Sequence, residues 1–82
     1  MDVQDFEGAA DQFSAALLLD STNAFLYFCR AQAMAGAGSI SAALADMTAS
    51  VRYDSTNAEA FFNRAMLYVK VRARSQSNSG FK

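Results

Sequence analysis

Proline and histidine are absent from this sequence, cysteine occurs once and glycine four times. Without proline no residue deletes a helical amide or clashes with the turn before it, so long helical runs meet few breakers. Without histidine the usual general base is missing, and Cys29 lies in an apolar stretch with no candidate base beside it. It reads as a packed thiol, not a nucleophile. One cysteine excludes an internal disulfide and suits a reducing, intracellular setting, so the expected location is cytoplasmic. No apolar run approaches the ~20 residues needed to cross a bilayer, and the acidic start is unlike a signal peptide. With eight acidic and seven basic residues the net charge is −1, which gives no whole-chain case for nucleic acid. Neither nucleic acid nor membrane is expected as a partner. The carboxylates are scattered singly, and Ser and Thr cluster only in turns and the tail, where capping explains them. No catalytic residue, metal or cofactor is therefore expected.

What is present favours helix. The chain has 82 residues, 52% of them hydrophobic, and it leans on Ala, Leu, Phe and Met over Val and Ile. That length makes one small domain, in the range where core burial is barely sufficient and oligomerisation often helps. Charge is uneven: residues 1–41 carry Asp2, Asp5, Glu7, Asp11 and Asp20 against Arg30, whereas residues 42–82 carry three acids against six bases. Head-to-tail contact is thereby favoured, and two solvated ends explain the same pattern.

The segment DSTNA occurs at Asp20 to Ala24 and again at Asp54 to Ala58, a spacing of 34 residues. Laying residues 5–38 over 39–72 without a gap gives ten identities: Ala9/Ala43, Ala15/Ala49, the five of DSTNA, Phe28/Phe62, Arg30/Arg64 and Ala31/Ala65. Apolar residues recur at three- and four-residue intervals from Phe6, Ala24, Ile40 and Ala58, which is helical periodicity. Asp, Ser, Thr and Asn are turn and N-cap residues, so DSTNA reads as the hinge that ends one helix and caps the next. GAGS at Gly36 to Ser39 reads as the other hinge, with Gly38 left-handed and Ser39 capping. Four helices follow, over about 5–19, 23–36, 39–53 and 57–73. Residues 1–73 form the helical domain and the polar 74–82 a disordered tail.

A 34-residue helix-turn-helix unit with small residues at fixed places resembles the tetratricopeptide repeat family. The resemblance rests on Ala31 and Ala65, Gly38, Phe6 and Ile40, and Ala9 and Ala43, and covers about residues 5–72. Small residues at a crossing let two antiparallel helices approach closely. One departure is that Ser21 and Ser55 stand where the family usually places proline after the hinge Asp. The resemblance implies an all-α fold of antiparallel helix-turn-helix repeats, a solenoid fragment with one full repeat between two half repeats. It reads as a segment of a longer array or as a small protein with diverged ends, and Gly80 to Lys82 resembles the start of a further helix.

The resemblance also implies a protein-binding module, because the first helix of each repeat in the family lines a concave groove. The matching positions are Phe25, Phe28, Gln32 and Ala35 in one helix and Glu59, Phe62, Met66 and Val69 in the next, and Asn63 is a further partner-binding candidate. Such a groove is mostly apolar and suits an amphipathic helix or an extended apolar peptide. For Phe28 and Phe62 a place in the buried core is the alternative, and Tyr27 and Phe61 read as core. Asn63–Arg64–Ala65 is similar to the helix that gives an asparagine to the family's carboxylate clamp. The clamp also needs basic residues on neighbouring first helices, and Phe25, Phe28 and Gln32 stand there instead. Finally, the last helix carries Ala60, Phe61, Ala65, Tyr68 and Val69 with no following helix to cover them. Self-association into a homo-oligomer is expected through Phe61, Tyr68 and Val69, with a pure oligomerisation element as the alternative function. Lys70, Arg72, Arg74 and Lys82 read as a solvated basic helix end.

Overall fold

The computed structural model describes residues 3–79, and side chains over residues 5–73. Four helices follow one another: α1 Val3–Leu19, α2 Ala24–Gly36, α3 Ile40–Tyr53 and α4 Ala58–Ser79. Each packs against the next in antiparallel hairpins, as in a fragment of a helical-repeat protein. The molecule measures 47 × 30 × 19 Å, so its thin dimension is about two helix diameters. The one boundary that departs from the sequence reading by more than two residues is the end of α4. Its backbone stays helical over 74–79, where a disordered tail was expected, because RARSQSNS contains neither proline nor glycine. Residues 80–82, and with them the expected start of a further helix, lie outside the described residues.

The repeated hinge works through its asparagine. Asn23 Oδ1 accepts from the Leu26 amide and Asn57 Oδ1 from the Ala60 amide, each at 3.2 Å, so both copies cap the first turn of the helix that follows. The aspartates act differently in the two copies. Asp20 accepts from Asn23 Nδ2 at 2.9 Å. Asp54 accepts from the Thr56 amide and hydroxyl, and these bonds hold its carboxyl below its usual range. The hinge between α2 and α3 closes as a Schellman turn: the Gly38 amide donates to Ala35 at 3.1 Å and the Ser39 amide to Met34 at 2.9 Å. Gly38 has φ +91°, the left-handed conformation a side chain rarely adopts. Ser39 was expected to cap α3 with its hydroxyl, but its side chain makes no capping bond, and only its carbonyl accepts the first helical amide, from Ala43.

The core is built at the helix crossings. Phe28 and Ala31 of α2, Ala43, Met47 and Val51 of α3, and Ala60 and Leu67 of α4 form one buried cluster. Ala31, Ala43 and Ala60 are completely buried, which is how small residues bring helix axes together. At the other end of α2, a Cβ on Gly36 would lie 2.5 Å from the Phe6 ring, so this glycine lets the ring of α1 rest on the α2 backbone.

The paired positions Ala31 and Ala65 give a direct check. Ala31 lies under α3, whereas Ala65 is exposed on α4. Ala31→Leu should cost about 1–3 kcal/mol in urea unfolding through overpacking, and Ala65→Leu should change stability by no more than about 0.5 kcal/mol. Equal losses at both sites would contradict this packing.

Candidate functional site

Arg30 is the polar centre of the stack. Its Nε and Nη2 donate to the two carboxylate oxygens of Asp46 on α3, at 2.9 and 2.8 Å, and its Nη1 donates to Ser14 Oγ on α1 at 3.0 Å. One guanidinium thus joins three helices, in the bidentate geometry its planar fork allows. The Asp46 hydrogen bonds raise the Arg30 pKa above its usual value, against the opposing effect of burial. Ser50, on the same face of α3 as Asp46, donates to the Ala24 carbonyl at 2.9 Å. Beside this point Tyr27 stacks on Tyr53, with ring centroids 5.6 Å apart, and donates its hydroxyl to the Ser21 carbonyl. Among the described residues no buried side-chain polar atom lacks a partner.

The same machinery recurs on α4 with one half absent. Arg64, the repeat counterpart of Arg30, donates Nε to Thr48 Oγ1 at 3.1 Å, and Thr48 is the counterpart of Ser14. Among the described residues no carboxylate meets Arg64, as Asp46 meets Arg30. The apolar positions differ in the same way. Phe28 is 7% exposed and Phe62 is 64% exposed. Tyr27, Met34 and Ala35 are half-buried, and their counterparts Phe61, Tyr68 and Val69 are all exposed. What separates each pair is α3, which covers α2 and has no counterpart over α4 among the described residues.

Two depressions flank the exposed face of α4. One, of about 650 Å³, is lined by Leu44 and Thr48 of α3 and by Phe61, Arg64, Ala65 and Tyr68 of α4. The other lies between α2 and α4, holds about 140 Å³, and brings Gln32, Ala35, Asn63, Met66 and Lys70 around Met47. Phe62, Met66 and Val69 form an open apolar surface between the two. Arg72 lies over the Tyr68 ring, 5.9 Å from its centroid, in a cation–π contact one turn along α4.

Of the expected groove residues, the structure brings Gln32, Asn63 and Met66 to one depression and sets Phe62 and Val69 beside it. Phe28 is a correction: α3 crosses directly over it, so it belongs to the core. Phe25 is exposed at the first turn of α2, and Glu59 is exposed in the first turn of α4, where a negative charge complements the helix dipole; neither lines the depressions. Phe61, expected in the core, is 42% exposed, while Ala60, expected to await a partner, is fully buried against α3. Sequence reasoning did not place Leu44, Thr48 or Arg64 in a site. The pairs Ser14/Thr48 and Arg30/Arg64 in the 34-residue register carried that signal.

Cys29 lines a third depression, between α1 and α2, with Phe6, Ala9 and Phe13, and burial pushes its thiol up from the usual value. A smaller thiolate fraction follows. Among the described residues no helix is long and apolar enough to cross a membrane, and no group of three metal-ligating side chains occurs. Comparison with protein-family models, curated proteins and solved structures finds no match to this chain.

The asymmetry between the two arginines sets an expected outcome. Asp46→Ala should lower stability by about 1–3 kcal/mol, because it strands a half-buried guanidinium, whereas Arg64→Ala should change stability by no more than about 0.5 kcal/mol. Chemical denaturation of the two variants measures the difference, and a loss at Arg64 as large as at Asp46 would remove the distinction.

Proposed function

We propose that this protein is a protein-protein interaction module of the tetratricopeptide-repeat kind, which binds a helix or peptide on the outer face of α4. The observation that carries the proposal is the contrast between Phe28 and Ala31, buried under α3, and their counterparts Phe62 and Ala65, exposed on α4. Phe61, Phe62, Met66, Tyr68 and Val69 add to Ala65 a contiguous apolar surface on a small chain, and contiguous exposed apolar surface marks an interaction site. Gln32, Asn63 and Lys70 give its concave edge polar groups that fix the orientation of a ligand. The proposal includes self-association through the same face, by way of Phe61, Tyr68 and Val69, and a cytoplasmic setting without catalysis or cofactor. The uneven charge of the two halves favours contact between copies. A pure oligomerisation element is the second reading, in which the face serves only another copy.

Light scattering on a size-exclusion column, over a micromolar concentration range, tests self-association with wild type and Phe62→Asp. Wild type should gain mass with concentration and the variant should stay monomeric at unchanged helicity. A wild type that is monomeric throughout would remove self-association and the second reading with it.

A further inference from the structure

The α2–α3 contact shows what α4 is built to receive. We propose that the outer face of α4 takes an amphipathic helix bearing an acidic residue, and that Arg64 reads that residue as Arg30 reads Asp46. The inference rests on the interaction-module reading and names the chemistry of its partner.

The template lies within the molecule. From one face α3 presents Ala43, Asp46, Met47 and Ser50 to α2: a small residue, an acid three positions later, a large apolar residue, and a hydroxyl one turn beyond the acid. Asp46 grips Arg30 with both oxygens, and Ser50 donates to the carbonyl of Ala24, six residues before that arginine. Ala43 gives the close approach beside Ala31, both fully buried. Every receiving element recurs on α4 in the 34-residue register: Ala58 for Ala24, Phe62 for Phe28, Arg64 for Arg30 and Ala65 for Ala31. Ala58 closes the second DSTNA, whose Asn57 caps α4 as Asn23 caps α2, so the two carbonyls stand at the same point of their helices.

Charge selects the occupant. Arg64 stands among Phe61, Ala65 and Tyr68 at the larger depression, and only its Nε is bonded, to Thr48, among the described residues. A purely apolar helix laid there would desolvate the guanidinium without compensation, which is costly. A helix with a carboxylate at the Asp46 position supplies a bidentate partner and removes that cost. The chain's own residue in this register, 34 after Asp46, is Gly80, which has no side chain to offer. The second arginine therefore answers to a carboxylate that this register does not itself supply.

A helix-stabilised synthetic peptide of residues 39–54, which carries the α3 pattern, is a direct probe when titrated into the full chain by calorimetry and by amide shifts of α4. The unmodified peptide should bind on α4 roughly tenfold more tightly than its Asp46→Asn form, and the difference should vanish against Arg64→Gln, a variant at an exposed position. Equal affinity of the two peptides for wild type, with binding lost in Phe62→Asp, overturns the role of Arg64 and leaves the apolar interaction face standing. Failure of both peptides to bind overturns the proposal and that face together.

Discussion

Arg30 joins α1, α2 and α3 at one point, and the order of the stack depends on that junction. Its guanidinium sits where α2 is flanked on both sides, with Ser14 before it and Asp46 after it. Apolar area alone holds helices together but leaves their relative rotation and translation loosely set. A bidentate pair at the crossing fixes both, since its geometry tolerates little displacement. The alanines then decide how close the helices come, and the aromatic residues fill what remains.

The same constraint explains the unevenness of the molecule. In a linear stack each element contacts only its neighbours, so stability is a sum over interfaces and the last element always has one fewer. Among the described residues that element at this end is α4, and at five positions that correspond to buried or half-buried residues of α2 it keeps the apolar Phe61, Phe62, Ala65, Tyr68 and Val69. At the other end, α1 leaves Leu18 and Leu19 almost fully exposed, but it also carries Asp5, Glu7 and Asp11. A helix designed only to end a stack has a polar outer face. The face of α4 is therefore the part of the structure with the clearest binding chemistry.

Much of the fold was legible in the sequence because one repeat states its own register. The period of 34 and the doubled DSTNA gave the helix number and two of the hinges, and Ala31 and Ala43 marked one crossing, whereas their counterparts Ala65 and Ala9 are exposed and half-buried. The site was less legible, for a physical reason. Whether Phe28 or Phe62 is exposed depends on what lies above it, not on its own helix, and the two residues are identical in the repeat. Asp46 escaped notice because its counterparts are Gln12 and Gly80, so no repeated acid marked it. The side-chain contacts of α4 with α3 likewise separate Ala60, which faces inward, from Phe61, which turns outward, although both stand in one apolar run.

Hydrogen exchange of backbone amides measures the central claim, that α4 has one covered side where α2 has two. At low concentration the amides of residues 58–73 should exchange markedly faster than those of α2, and should gain protection selectively when the face is occupied. Protection of α4 equal to that of α2 in the dilute, unliganded protein would contradict it.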